Sequence, residues 1–535
     1  MNGSPPGAFR SLARDIVIGS RFLRDLPSHL SERPLSHADR EREIHGRMKR
    51  RADDLMSLVT SSAFSRPESL YARLLKLAGC EAADLSSLLG RLGVEGALDA
   101  LCRAGVYLTL DEFKGRCPVI RGSTVLEGGP DAVRNPLARF HVPLRTSGSR
   151  GAGTPVLLDL AYIRDAAVDT EAMLGVLGAA RTLRATWEVP GGGALVRHLE
   201  LGSCGRPLAR WFSQLPPDLP GLHPRYRWSV KTLRLGGRLA GVDVPRPQYA
   251  PLEDPLPIVL WMEDVLRSGR EPLLFSFPSA ALRLAERAAS RGTSLAGAHV
   301  ITTGEPMTAV RLSAIRRQGL HVIVRYGTIE VGAIAWGCLT AKEPDDLHVI
   351  DDMHGLIRVA EGQAAGLPGG ALLVTTLRSS APFVFLNVSM GDAGVLSDRR
   401  CGCGLERLGW TRHLHTVRSF EKLSGAGMTF HDADVIRILE EVLPGRFGGS
   451  PTDYQLVEGE TSEGHPLVRL RVHPRVGAVD VTAVRETFLS GLGAGSGADQ
   501  VMAAVWCGAG LPEVERVVPH ATFTGKVLHL HRLAP

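Results

Sequence analysis

No stretch of this chain approaches the roughly 18 uninterrupted apolar residues that cross a bilayer, so a helical membrane span is excluded. The first thirty residues also lack a secretory pattern. Arg10, Arg14, Arg21 and Arg24 interrupt apolar residues at helical spacing, and no apolar core follows. Cysteine is sparse at 8 in 535 residues, too few for a disulfide scaffold and suited to a reducing compartment. Basic tracts are scarce too. The net charge of +6 is spread over the whole length and gives no reason to invoke nucleic acid. The one compact basic run, Arg47-Met48-Lys49-Arg50-Arg51, adjoins Asp53 and Asp54 and reads as a solvated helix face. No internal repeat or long low-complexity segment is present. A GxxxxGK[ST] loop is missing, and the GxGxxG-like spacing in GLGAGSG at 491–497 follows a helix rather than a strand, so a dinucleotide reading fails. A soluble, cytoplasmic globular protein remains, to which 44% hydrophobic and 22% charged residues conform.

At this length two or three domains are expected. Residues 1–115 read as helix, with apolar positions at helical spacing in Leu70, Leu74, Leu75, Leu77 and in Leu85, Leu88, Leu89, Leu92. Short strands and glycine turns occupy 116–160, and helices with proline-rich connectors occupy 160–300. From 298 the texture becomes strand–turn–helix: strand Ala298–Thr303, helix Ala309–Gln318, strand His321–Arg325. Further strands are expected at Ala371–Thr376 and Phe383–Val388. After about 410 a smaller α+β unit follows, with a helix at Ala433–Leu443, a strand at Leu467–Val472, a helix near Val481–Leu492 and a last strand near Val527–His531. Strands alternating with helices predict a parallel or mixed sheet that binds ligands at its carboxyl ends.

The most informative segment is Arg145-Thr146-Ser147-Gly148-Ser149-Arg150-Gly151. Small side chains let backbone N–H groups approach a ligand and hydroxyls add donors, so such a loop can wrap a polyphosphate. A plain surface loop has the same composition. Its weight comes from four motifs further along the chain: TTGEP at 302–306, YGTIEVG at 326–332, GD at 391–392 and TGKV at 524–527. TTGEP and YGTIE each follow an apolar run, where a strand end would place a ligand.

Taken in order, these motifs resemble the adenylate-forming superfamily (acyl- and aryl-CoA ligases, nonribosomal peptide adenylation domains, luciferases), and within it the phenylacetate-CoA ligase branch. The likeness rests on GVEGALDALCRAGVYLTLDEFKGRCPVIRGS at 93–123, the 145–151 loop, TTGEPMT at 302–308, YGTIEVGAIAWGC at 326–338, DDLHVIDD at 345–352, GDAG at 391–394, CGCG at 401–404 and FTGK at 523–526. The resemblance implies an α/β fold: a large N-terminal adenylation domain with mixed and parallel sheets flanked by helices, plus a small mobile α+β C-terminal domain. Its implied divisions are a helical region 1–115 packing on an adenylation domain 116–417, then a C-terminal domain 418–535 carrying the catalytic lysine. It also implies a reaction. A carboxylate attacks the α-phosphate of ATP, giving an acyl-adenylate and pyrophosphate. The thiol of coenzyme A or of an acyl or peptidyl carrier protein then displaces AMP, and the C-terminal domain rotates between the steps. The expected assembly is a monomer or homodimer.

Carried over residue by residue, the resemblance gives Thr146, Ser147, Gly148 and Ser149 the β- and γ-phosphates. Arg150 stands where the family usually has threonine, and Ala152 where it has lysine; the fork of Arg150 can supply the charge. Glu330 matches the Mg²⁺ carboxylate, Thr328 a contact to the α-phosphate and Tyr326 a packing surface for adenine. Gly304, Glu305 and Pro306 match the adenine loop and also read as a tight turn after a strand. Asp392 matches the ribose-binding aspartate and Arg418 the arginine near the hinge. The hinge itself departs, with Phe420 where an acid is usual. Lys526 matches the lysine that stabilises charge growing between carboxylate and α-phosphate. For Glu330 taken alone, the alternative is a solvated loop residue.

Cys338, His348, Cys401 and Cys403 form a candidate structural zinc set, since three thiolates and an imidazole suit a tetrahedral ion. Free thiols in a glycine turn are the alternative. Cys80, Cys102, Cys117, Cys204 and Cys507 read as buried small apolar residues. Trp228, Trp261, Phe275, Phe277 and Pro278 are candidate walls of an acyl pocket. Two further readings stay open: a nucleotide-binding protein of this fold that lacks the full reaction, motivated by Arg150, Ala152 and Phe420, and an adenylating enzyme with an amine acceptor.

Overall fold

In the computed structural model, residues 6–145, 154–188, 192–214, 216, 224–252, 254–419, 424–425, 428–429, 432–460, 466–494, 503, 506–507, 511–521 and 527–532 are described. Helices dominate up to Lys114. Leu70, Leu74, Leu75, Leu85 and Leu89 turn inward, while Leu77 and Leu92 at the edges of the same stripes are exposed. Inside the long helix Ala82–Arg103, Gly93 takes φ +68, a left-handed conformation that breaks it into two. This helical region shares one apolar core with the strands Gly332–Gly337, Leu347–Val349, His354–Arg358, Ala371–Thr376 and Val388–Asp398, through Leu58, Leu98, Leu108, Val349 and Val388 among others.

Charge also ties the region down, and here the expected solvated face is overturned. Lys49 and Arg50 are exposed, but Arg47 is fully buried, with Nε 2.9 Å from Asp352 and a second carboxylate, Asp169, on its fork. Arg51 pairs with Glu95. A buried guanidinium is tolerated only with such partners, and these lie 44 to more than 300 positions away, beyond local inspection. Cys117 and Cys507 are likewise exposed rather than buried.

The main sheet has twelve strands: β1 Leu183–Glu188, β2 Arg210–Ser213, β3 Pro247–Tyr249, β4 Pro272–Ser276, β5 His299–Thr303, β6 His321–Thr328, β7 Gly332–Gly337, β8 Leu347–Val349, β9 His354–Arg358, β10 Ala371–Thr376, β11 Val388–Asp398 and β12 Arg412–Ser419. Their order is β9-β10-β11-β12-β8-β7-β6-β5-β4-β1-β2-β3. The half from β3 to β6 is parallel, and its crossovers are the helices the sequence alternation predicted. The half from β6 to β9 is antiparallel. The expected strand Phe383–Val388 begins only at Val388. Asn387 takes φ +57 and anchors its side chain on the carbonyls of Leu98 and Val106, and the buried segment before it donates its amides to the Val133 carbonyl and to the hydroxyls of Thr376, Tyr71 and Thr375 instead of forming a continuous ladder.

Residues 435–506 carry a separate apolar core around Val435, Ile438, Leu470, Phe488 and Trp506. Four strands, β13 Tyr454–Glu460, β14 Pro466–Val472, β15 Glu513–Glu515 and β16 Leu530–Arg532, run in the order β15-β14-β13-β16. The helix Val481–Gly493 packs beside them, as its apolar spacing predicted.

Candidate active site

The motif YGTIEVG forms the hairpin between β6 and β7. Gly327 sits at a bulge where a Cβ would lie 2.2 Å from the Gly332 carbonyl oxygen, and Gly332 has φ +73, so both glycines are required by geometry. Glu330 lies at the tip of this hairpin yet is only 4% exposed, which removes the solvated-loop reading. Lys114 covers it. The ammonium donates 2.7 Å to Glu330 Oε1 and 2.7 Å to the hydroxyl of Thr154, the first described residue after the 146–153 loop. Beside Glu330 in sequence, the Thr328 hydroxyl is buried with no hydrogen-bond partner among the described residues. A buried carboxylate next to an unsatisfied hydroxyl, at the carboxyl end of a parallel block, is a donor set that Mg²⁺ and phosphate oxygens would complete.

Tyr326 and Asp392 come together. The phenol donates 2.9 Å to Asp392 Oδ2. Four strand steps separate β6 from β11, about 19 Å in a flat sheet, so this contact exists only because the sheet curls back on itself. Burial pushes the Tyr326 phenol well above its ordinary value and the Asp392 charge reinforces this, so the phenol stays a donor. Arg418 pairs in register with Ala393, one position from Asp392. Its guanidinium donates 3.1 Å to Asp345, which also accepts the amides of Thr416 and Val417 at 2.9 Å each. Asp345 thereby fixes the end of β12, where Thr416 takes φ +55.

Gly304 takes φ +82, so Gly304-Glu305-Pro306 is the tight turn read from sequence. The Glu305 carboxylate is already committed. It accepts the amide and hydroxyl of Ser279 at 2.9 and 2.7 Å and pairs with Arg311 at 3.0 Å. Arg311 then reaches the C-terminal unit. Its Nε lies 2.6 Å from Glu440 Oε1 and its Nη2 lies 2.9 Å from His529 Nε2. Thr308 also bonds Glu440. The loop expected to hold adenine is thus wired to the C-terminal unit through a buried ionic cluster.

Thr146, Ser147, Gly148, Ser149, Arg150, Ala152, Phe420 and Lys526 lie outside the described residues. Of the candidate pocket walls, Trp261, Phe275, Phe277 and Pro278 are buried, whereas Trp228 is 67% exposed.

The cysteine set converges and gains a member. Sulfurs of Cys401 and Cys403 lie 3.4 and 3.1 Å from His348 Nε2. Ligand atoms of Cys338, His348, Cys401 and His413 all lie within 4.8 Å of one another. The other ring nitrogen of His348 lies 2.6 Å from the Trp410 carbonyl, which can only accept, so Nε2 offers its lone pair to the sulfurs. His413 lies opposite His348 in the β8–β12 register, its Nδ1 2.7 Å from Asp346 and its Nε2 buried without a hydrogen-bond partner among the described residues. These donors fit a tetrahedral thiolate–imidazole ion. Sequence reading missed His413, because the strand Arg412–Ser419 has no apolar–polar alternation to mark it as inward-facing. It gave Lys114 and Glu440 no role, since their partners are remote in sequence: Glu330 and Thr154 for Lys114, Arg311 and Thr308 for Glu440.

No protein-family model matches the chain and no curated protein matches it by sequence. Solved structures do match. Two are of 2-hydroxyisobutyryl-CoA ligase in the postadenylation state, one with R3-HIB-AMP at TM-score 0.53 and one with 2-HIB-AMP at TM-score 0.51. Each is 16% identical, with 93% of this chain and 90% of that chain covered. At that identity the likeness bears on architecture alone, and it agrees with the curled mixed sheet and smaller C-terminal unit described above. The chain has the fold of the adenylate-forming ligases.

Proposed function

We propose that the chain is an ATP-dependent, AMP-forming acid–thiol ligase. A carboxylate oxygen attacks the α-phosphorus of ATP and the bond to the β-phosphate breaks, giving acyl-AMP and pyrophosphate. A thiol of coenzyme A or of a carrier-protein arm then attacks the acyl carbon. AMP leaves and the thiol proton goes to solvent. The single observation that carries this reading is the 2.9 Å bond between Tyr326 and Asp392, two residues from motifs 66 positions apart that sequence order assigned to one nucleotide.

In this reading the Asp392 carboxylate accepts both ribose hydroxyls, charge assistance strengthening each bond. Arg418 lies beside it, and the Gly304–Pro306 backbone borders adenine. Thr328 contacts the α-phosphate, and Glu330 would hold Mg²⁺, which when bound supplies positive charge to the phosphate oxygens. The hydroxyls and amides of 146–149 grip the outer phosphates. Lys526 lends its ammonium to charge that grows only in the transition state. Cys338, His348 and Cys401, with Cys403 or His413 as fourth ligand, hold a structural zinc. The phenylacetate-CoA ligase branch remains part of the proposal, supported by the motif order from 93 to 526.

One observation favours a second reading, a nucleotide-binding protein without the full reaction: the Lys114 ammonium already sits on the proposed metal carboxylate. Pyrophosphate release with Mg·ATP across a panel of carboxylic acids separates the two. The ligase reading expects release with at least one acid, lost in Lys526→Ala while ATP still binds. Absence of release with every acid, from protein that binds ATP, rejects it. Thioester formation on adding coenzyme A, against amide formation with amines, then identifies the acceptor.

A further inference from the structure

Lys114 closes a short helix, Leu110–Lys114, whose start is fixed by a capping box between Thr109 and Glu112 and whose end is fixed by Gly115 at φ +70. Nothing in that local pattern explains why its last side chain turns into the interior. The ammonium is 15% exposed and bonds two groups, Glu330 and Thr154, that lie 216 and 40 positions away. Phe113 flanks it at 4.9 Å. Burying an ammonium is costly unless it is paired, and Glu330 provides the pair. Among the described residues a carboxylate and a hydroxyl use two of its three N–H donors, so one donor remains for an anion.

Residues 145–154 read RTSGSRGAGT, which carries Arg145 and Arg150 but no lysine, and the proposed ligand brings a triphosphate to them. Thr154 is at the exit of that segment, and Glu330 is the proposed metal carboxylate. Lys114 touches both.

Resting on the nucleotide reading above, we propose that Lys114 is the ammonium of the triphosphate site, contributed by the N-terminal helical region rather than by the loop itself. Its third donor binds an outer phosphate oxygen while Glu330 and Thr154 fix its position. A mononucleotide, which has no outer phosphates, does not use it. Lys114 therefore sets the preference for ATP over AMP.

Equilibrium binding of Mg·ATP and of AMP to the full chain tests this without requiring turnover. Lys114→Met keeps the aliphatic stem on Phe113. It should weaken ATP by about ten- to a hundredfold, the range for a lost charge-assisted hydrogen bond, while AMP changes by less than about twofold. Lys114→Arg should retain most ATP affinity. Equal losses for ATP and AMP, or an unchanged ATP affinity, would overturn the assignment and leave a structural ion pair. If Lys114→Met does not fold, Thr154→Val reads the same ratio through the other anchor. A fall of about threefold in ATP affinity at constant AMP affinity supports the assignment, and equal changes reject it. Wild-type protein that binds neither nucleotide fails the nucleotide reading itself, whereas wild type that binds both with an unaltered ratio in every variant fails Lys114 alone.

Discussion

Replacing Glu440 by glutamine removes one negative charge from a buried cluster while keeping its shape. Glu440 and Arg311 have side chains only 1% exposed and His529 is also buried. Arg311 belongs to the large unit; Glu440 and His529 belong to the C-terminal one. Burial by itself would push the Glu440 carboxyl up, but Arg311 and His529 outweigh it and lower the group from 4.5 to about 2. Holding it there corresponds to about 3 kcal/mol, close to the roughly 3–5 kcal/mol lost when one member of a buried pair is deleted. The loss falls on docking, because after Glu440→Gln the Arg311 charge faces Glu305 alone. Hydrogen exchange of amides around 308–312 and 527–532 should accelerate by about two orders of magnitude at pH 7. The pH dependence has a fixed sign. A depressed carboxyl contributes fully above about 4.5 and loses its contribution as pH falls towards 2, so the difference between variant and wild type should shrink to about half or less by pH 3. Unchanged exchange at pH 7, or a difference that grows on acidification, would refute the reasoning. Because Glu305 shares Arg311, a looser C-terminal unit should also disturb the 304–306 turn, and any rotation of that unit must break this cluster first.

Further outcomes are expected. Asp392→Asn should weaken AMP binding by about tenfold or more, and Tyr326→Phe by less, because it removes a neighbour of the ligand's partner rather than the partner; equal effects would contradict this. Gly327→Ala should cost about 3 kcal/mol or more in urea unfolding, since its Cβ would collide with backbone at 2.2 Å; a near-neutral result would mean that the hairpin is wrongly drawn. Carefully stripped protein should retain about one zinc per chain, lost in His348→Ala and kept in Cys117→Ser, whose thiol is exposed. Metal-free wild type with unaltered thermal stability would retire the zinc site.

Much of the fold is legible in the residues themselves. The strand Ala371–Thr376 and the helix Val481–Gly493 stand within a residue of where apolar spacing puts them, because burial of one face is a local property of the sequence. The run at 383–388 misleads for a physical reason: Phe383, Val384 and Phe385 have the composition of a strand, but Asn387 leaves the extended region and the amides of 385–387 bond hydroxyls of Thr376, Tyr71 and Thr375. The basic run misleads similarly, since the partners of Arg47 are supplied by residues 169 and 352.

The sequence alone determined the chemical kinds present: a hydroxyl-glycine loop, an acid after Tyr-Gly-Thr, an aspartate in Gly-Asp, a histidine among cysteines. Their order along the chain was enough to suggest a nucleotide. Tertiary structure decided which of them meet. It curled four strand steps so that Tyr326 reaches Asp392, set Lys114 on Glu330, added His413 to the cysteines and tied Arg311 to Glu440. Each of these depends on charge or hydrogen bonding between groups remote in sequence, and such contacts leave no periodic trace in the residues between them.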